Sequence, residues 1–134
     1  MRFFRVVLSL YAVLLTLLLL HPSPFSLFGG SQAAKLAPSV GQHFLAFSVL
    51  GFFVAASRLP VPFGIGLSAL LAYAAGTEML QALIPPRNPS IRDFVENVLG
   101  IACGITAWLA LVRAWAMLRL RPDNPSATAS RAGQ

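Results

Sequence analysis

The chain has 134 residues, enough for one domain, and 57% of them are apolar while only 10% are charged. Water-soluble domains carry about 25% charged residues, so this composition excludes an ordinary soluble protein and predicts an integral membrane protein. The net charge of +6 does not indicate a nucleic-acid partner, because the basic residues flank apolar segments, as orientation signals do.

The apolar residues fall into four segments, each close to the ~20 residues that a helix needs to cross a bilayer. We predict an all-α, four-helix transmembrane bundle with spans at residues 3–20, 40–57, 63–83 and 94–118. A cleaved signal peptide ending near residues 31–33 is the alternative for the first segment, whose length favours a retained span. Residues 1–120 would form the membrane domain, and the Pro- and Ser-containing residues 121–134 a disordered cytoplasmic tail.

The basic residues predict the orientation of this bundle. Four spans place both termini on one side, and that side carries seven basic residues: Arg2, Arg5, Arg58, Arg113, Arg119, Arg121 and Arg131. The opposite side carries three: Lys35, Arg87 and Arg92. Because cytoplasmic loops are enriched in Lys and Arg, we predict a multi-pass protein of the cell inner membrane with both termini in the cytoplasm.

Scarce polar residues concentrate between positions 77 and 104. The chain has only four acidic residues, and three of them lie there together with two amides: Glu78, Asp93, Glu96, Gln81 and Asn97. Ionisable groups near a bilayer are costly, and by default they mark functional sites. The orientation puts His43, at the start of the second span, on the same outer side. We therefore predict one outward-facing polar site.

Local signals indicate how this site is built. Pro85 and Pro86 end the helix that carries Glu78, and Ser90 is a good N-cap for the next helix, with Asp93 at the N3 position. Small residues around Glu78, including Ala74, Ala75 and Ala82, indicate that it faces a neighbouring helix. We expect Asn97 to form an interhelical hydrogen bond, because an amide within an apolar span needs a partner.

Gly100 and Gly104 form a small-x-x-x-small pattern that predicts close helix packing. Packing within the chain is the favoured interpretation, and a homo-oligomer face is the alternative. The single Cys103 excludes a disulfide or cysteine–metal cluster within one chain. The sequence has no Gly-rich phosphate loop and no HExxH motif, and no spacing supports a metal site. We expect no cofactor and no metal.

The polar residues together resemble a known family, the VanZ-like membrane proteins. The resemblance covers residues 3–118 and rests on His43-Phe44, Glu78-x-x-Gln81, Arg87 and Asp93-x-x-x-Asn97-x-x-Gly100. Family members often have Asp-Lys ahead of the histidine, in a D-K-x-x-H pattern, where this chain has Ser39 and Val40. The family is named for low-level resistance to the glycopeptide teicoplanin, so the resemblance implies a role in the bacterial cell envelope.

The leading hypothesis is a protein that recognises an anionic or glycosylated lipid headgroup at the outer membrane surface. Arg87 would contact phosphate, because guanidinium groups bind phosphate well. His43 and Glu78 would orient the ligand or exchange protons, and Gln81 and Asn97 would hold the helices around it. The membrane bilayer and a lipid-linked headgroup are the partners that this hypothesis requires.

Two alternative functions are also compatible with these residues. One is a membrane-embedded enzyme that acts on an envelope lipid phosphate, with His43, Glu78 and Asp93 as acid–base residues. The other is a structural or assembly subunit without catalysis, in which Glu78 pairs with Arg87 or Arg92 and the cluster only locks the helix hairpin.

Overall fold

The computed structural model describes residues 2–20, 41–84 and 90–119, and this part of the chain is all-helical. Helix α1 spans Arg2–Leu20, α2 Gln42–Ser57, α3 Phe63–Gln81 and α4 Ile91–Arg119. Each begins and ends within three residues of a predicted span, so the all-α prediction is confirmed. The linker 21–39, the Pro85-Pro86 turn with Arg87, and the tail 121–134 lie outside the described residues.

Three of the four helices are long and apolar enough to cross a membrane. These are α1 and α3, with 19 residues each, and α4, with 29 residues. Helix α2 has 16 residues and is therefore about 24 Å long, which is less than the ~30 Å of a hydrocarbon core. It begins later than the predicted span because Gly41, with a φ of 86°, is not in a helical conformation.

Consecutive helices run antiparallel, so the bundle is up-down-up-down. Arg5, near the start of α1, donates to the backbone carbonyl of Arg58, just after α2. Glu78, near the end of α3, contacts Asn97, near the start of α4. The ends of α1 and α3 and the starts of α2 and α4 therefore lie together, and we call this the site end. The opposite end, the arginine end, carries five exposed basic residues: Arg2, Arg5, Arg58, Arg113 and Arg119.

The most extensive helix contact joins α2 to α4, and glycines make it possible. A Cβ added at Gly51 would lie 2.6 Å from the backbone oxygen of Ile101, and one at Gly100 would lie 3.0 Å from the backbone nitrogen of Ser48. At Gly104 it would collide with the backbone oxygen of Ser48. Both predicted glycines thus serve packing within one chain. A homo-oligomer through them would require α2 to move away.

The hydrophobic core of the described helices is a small cluster of buried apolar side chains. It comprises Leu15, Leu19, Phe47, Leu50, Leu70, Ala74 and Ile101. The outside of the bundle is also apolar, with large exposed side chains along every helix, such as Leu10, Leu45, Ile65 and Leu111. A surface helix of a soluble protein has a polar outer face, and these helices do not.

Two tyrosines fasten α1 to its neighbours near the middle of the bundle. The Tyr11 hydroxyl donates to the backbone oxygen of Ala46 in α2 at 2.8 Å. The Tyr73 hydroxyl of α3 lies 2.8 Å from the hydroxyl of Thr16. Buried hydroxyl groups need hydrogen-bond partners, so these contacts fix how α1 sits against α2 and α3.

Candidate functional site

Three polar side chains from three helices meet at the site end. Asn97 of α4 is at the centre, and its Nδ2 donates to Oε1 of Glu78 in α3 at 3.0 Å. Its Oδ1 lies 3.1 Å from Nδ1 of His43 in α2. Because an amide oxygen only accepts hydrogen bonds, Nδ1 of His43 is the donor. The predicted interhelical hydrogen bond of Asn97 is confirmed, and it joins three helices.

This His43–Asn97–Glu78 cluster is buried. Asn97 is 0% exposed, Glu78 is 7% exposed and His43 is 8% exposed. Burial of polar groups is tolerated only when they are hydrogen-bonded, and no buried side-chain nitrogen or oxygen in the described helices lacks a partner. The prediction that Glu78 faces neighbouring helices is therefore confirmed. Nδ1 of His43 is also 3.6 Å from Oε1 of Glu78, so imidazole and carboxylate are close together.

The second ring nitrogen of His43 has a different environment. Nε2 has no hydrogen-bond partner among residues 2–20, 41–84 and 90–119, where His43 bonds through Nδ1 alone. It is not a buried unsatisfied atom either. Nε2 therefore reaches the surface of the site end. The cluster holds the imidazole by one nitrogen and leaves the other accessible.

Gln81 links the site to the remaining helix. Its Nε2 donates to the backbone oxygen of Leu19 in α1 at 3.0 Å, and the side chain is buried. The predicted helix-holding role of Gln81 agrees with this contact. One turn before Gln81, Thr77 bonds back to the Ala74 carbonyl within its own helix. All four helices thus have a polar contact at or near the site end.

Glu96 has a structural role that the sequence pattern did not indicate. Its Oε2 accepts the backbone N–H of Gly41 at 3.1 Å, which ties α4 to the residue just before α2. Its Oε1 accepts from Nε of Arg92 at 3.3 Å. The alternative that paired Glu78 with Arg92 is wrong, because Arg92 pairs with Glu96 and Glu78 faces His43. The spacing of four residues between Arg92 and Glu96 was the available signal.

Ser90 and Asp93 lie at the start of α4. The Ser90 hydroxyl accepts the backbone N–H of Asp93 at 3.4 Å, so the predicted N-cap is confirmed. The half-buried Asp93 carboxylate has no hydrogen bond or ion pair with any described residue, and it lies close enough to interact electrostatically with Glu78. Arg87, the predicted phosphate contact, is outside the described residues and stays a prediction.

Within the described ranges, no group of three or more His, Cys, Asp or Glu side chains could hold a metal ion. Two apolar cavities occur between the helices, and both lie away from the cluster, toward the arginine end.

No protein-family model matches the chain, and no curated protein or solved structure matches it either. Membership of the VanZ-like family therefore stays a prediction from the residue pattern. Of the residues in that pattern, His43, Glu78 and Asn97 are in contact, and Asp93 and Gln81 lie next to them.

Proposed function

We propose that the chain is a VanZ-like protein of the bacterial inner membrane that recognises an anionic or glycosylated lipid headgroup at the outer membrane surface. The observation that carries this proposal is the buried His43–Asn97–Glu78 cluster where three helices meet. It fixes an imidazole and a carboxylate in one geometry and leaves Nε2 of His43 accessible. Such pre-organisation favours binding, because the side chains are already ordered before a ligand arrives.

A membrane location is supported by the apolar outer surface of the bundle. Exposed apolar patches of this extent are rare on soluble monomers, and lipid chains would cover them. In a four-span protein α2 must also cross the membrane. Its 16 residues are short for a span, and a local thinning of the bilayer would accommodate them. The five exposed arginines at the arginine end support placing that end in the cytoplasm. The site end then faces outward.

The chemistry at the site end suits a phosphate that carries hydroxyl groups. The Arg92 side chain is 64% exposed and, among the described residues, uses only Nε in a contact. Its remaining guanidinium N–H groups are good phosphate donors. The Asp93 carboxylate accepts hydrogen bonds, so it suits sugar or glycerol hydroxyl groups. The guanidinium of Arg92 would bind the phosphate and the carboxylate of Asp93 the hydroxyl groups. The two neighbouring residues thus favour a glycosylated or glycerol-bearing lipid phosphate.

A catalytic role is the second candidate, and the position of Glu78 favours it. A carboxylate near Nδ1 orients an imidazole whose Nε2 can move protons, and Oε1 of Glu78 is 3.6 Å from Nδ1 of His43. Incubation of the purified protein with a polyprenyl phosphate or a glycosylated polyprenyl phosphate separates the two candidates. Product formation would favour the enzyme, and retention without a product would favour recognition.

His43→Gln should keep the bundle folded and reduce ligand retention about tenfold. The glutamine amide can still donate to Asn97, but it lacks the imidazole ring and the ring's second, accessible nitrogen. Lipids that co-purify with wild type and variant would be identified by mass spectrometry, and teicoplanin sensitivity would be compared in cells expressing each. We expect a phosphate-bearing lipid in the wild type at about tenfold the level in the variant, as expected for one lost hydrogen bond to a charged group.

Gln42→Ala is the control for this experiment, because Gln42 is the exposed neighbour of His43 on the same helix. It should retain both the lipid and the cellular phenotype. Equal lipid retention by folded His43→Gln and wild type would reject the headgroup site at His43.

Cysteine labelling tests the orientation. In a Cys103→Ser background, Ile91→Cys at the site end should react with a membrane-impermeant thiol reagent in intact spheroplasts, whereas Leu59→Cys at the arginine end should react only after permeabilisation. Both native side chains are exposed on the protein surface, Ile91 at 86% and Leu59 at 36%. A difference in labelling would therefore not result from burial of one position within the protein. The reverse labelling pattern would overturn the proposed orientation.

A further inference from the structure

Two apolar cavities flank the first half of α3. One, of about 370 Å³, lies between α2, α3 and α4, and the other, of about 360 Å³, lies between α1, α2 and α3. Five residues line both cavities: Val54, Leu59, Val61, Gly66 and Leu70. The cavities therefore adjoin each other around the α2–α3 turn, at the arginine end, and we call the two together the opening.

The opening lies beside the first two turns of α3, where no residue is buried, in contrast to the rest of α3. Its buried residues begin at Leu70 and continue at Ala74, Thr77, Glu78 and Gln81. In the first half, Gly66 has no side chain to fill the gap. A Cβ added there would find Val61 Cγ2 as its nearest neighbour, at 3.8 Å. The space between α3 and the other helices is thus apolar and available to something other than this chain's own side chains.

The mouth of the opening is cationic. Arg58 lines the larger cavity, and its guanidinium forms no hydrogen bond or ion pair with any described residue. The Arg5 guanidinium lies beside the Arg58 backbone, because it donates to the Arg58 backbone oxygen at 3.2 Å. All acidic residues in the described part of the chain, namely Glu78, Asp93 and Glu96, lie at the site end. Nothing in the described helices neutralises the arginines at the mouth.

We propose that the two cavities bind the acyl chains of one phospholipid with an anionic headgroup, whose phosphate contacts Arg58 and Arg5. Cavities of about 300–1,000 Å³ with apolar walls and a few polar groups are typical ligand sites. Basic pockets between membrane helices on the cytoplasmic side are suited to anionic headgroups. This site needs insertion in a membrane. It is separate from the His43–Asn97–Glu78 cluster and does not depend on what that cluster binds.

Lipid titration of the purified full chain tests the charge component. The protein, depleted of lipid in a neutral detergent, would be titrated with palmitoyl-oleoyl phosphatidylglycerol or with phosphatidylcholine of the same chains, and bound lipid measured by native mass spectrometry. We expect phosphatidylglycerol to bind about tenfold more tightly. Arg58→Gln should abolish this preference, whereas Arg113→Gln should keep it, because Arg113 is exposed at the same end but does not line either cavity.

A glycine pair tests the acyl-chain component. Gly66 lines both cavities, so the leucine side chain of Gly66→Leu should occupy cavity space and weaken binding of both lipids. Gly64→Leu on the same helix is the control. A Cβ added at Gly64 meets nothing within 4 Å, so this variant should bind both lipids normally. Normal binding by Gly66→Leu would overturn the proposal, and so would an equal loss of preference in Arg58→Gln and Arg113→Gln. If Gly66→Leu fails to fold, the two arginine variants decide. His43→Gln should have no effect here, which separates this site from the headgroup site.

Discussion

Gly104→Leu should prevent the bundle from forming. The added Cβ would collide with the backbone oxygen of Ser48 and lie 2.7 Å from the backbone nitrogen of Phe52. Because these are backbone atoms, no change of rotamer relieves the contact, and α2 must move away from α4. Overpacking of a core costs about 1–3 kcal/mol when side chains can adjust, and we expect a larger loss here. The measurements are the yield of monodisperse protein and the thermal midpoint in detergent.

Gly76→Leu is the matched control for Gly104→Leu. Both changes add a leucine to the interior of a helix, but a Cβ at Gly76 would meet nothing within 4 Å. The control should therefore fold with a thermal midpoint near that of the wild type. A wild-type midpoint for Gly104→Leu itself would mean that α2 and α4 do not pack through this face, and the arrangement of the helices described above would be wrong.

The helices and part of the site were predictable from the residue pattern. Long apolar runs interrupted by proline and glycine determine where helices begin and end. The polar and small residues on one face of α4, Asn97, Gly100 and Gly104, correctly indicated its buried side. An amide and two glycines within the apolar part of this helix are poorly suited to face lipid. Their common face therefore had to contact another helix.

The pairing of the helices was not predictable. In a soluble helix the buried face is identified by the change from apolar to polar residues, but the outside of this bundle is as apolar as its core. Nothing in the sequence therefore indicated that α2 contacts α4 through Gly51. The bond from Gly41 to Glu96 uses a backbone N–H, which leaves no residue signature. The cavities beside Gly66 depend on how α3 packs against the other helices, and the sequence did not indicate them.

Asn97→Leu should cause the second large loss of stability. It removes the amide that donates to Glu78 and accepts from His43, so a buried carboxylate is left without its hydrogen bond. Loss of a hydrogen bond to a buried charged group costs about 1.5–3 kcal/mol. We expect a strongly reduced folded yield and a lower thermal midpoint. Leu99→Ala on the same helix is the control, since Leu99 is 56% exposed and its truncation should have a small effect.

The double variant Asn97→Leu, Glu78→Gln separates a structural cluster from a ligand site. Glu78→Gln removes the unpaired charge, and the new amide oxygen can accept from Nδ1 of His43, which lies 3.6 Å from the Glu78 oxygen in the native protein. The second change should therefore restore at least half of the stability that Asn97→Leu removes. It should not restore lipid retention or teicoplanin sensitivity to wild-type values, because the carboxylate and the fixed imidazole geometry are both missing. Recovery of stability together with the phenotype would identify the cluster as a brace between helices and reject the headgroup site. Recovery of stability alone is the result expected for a site that holds a ligand.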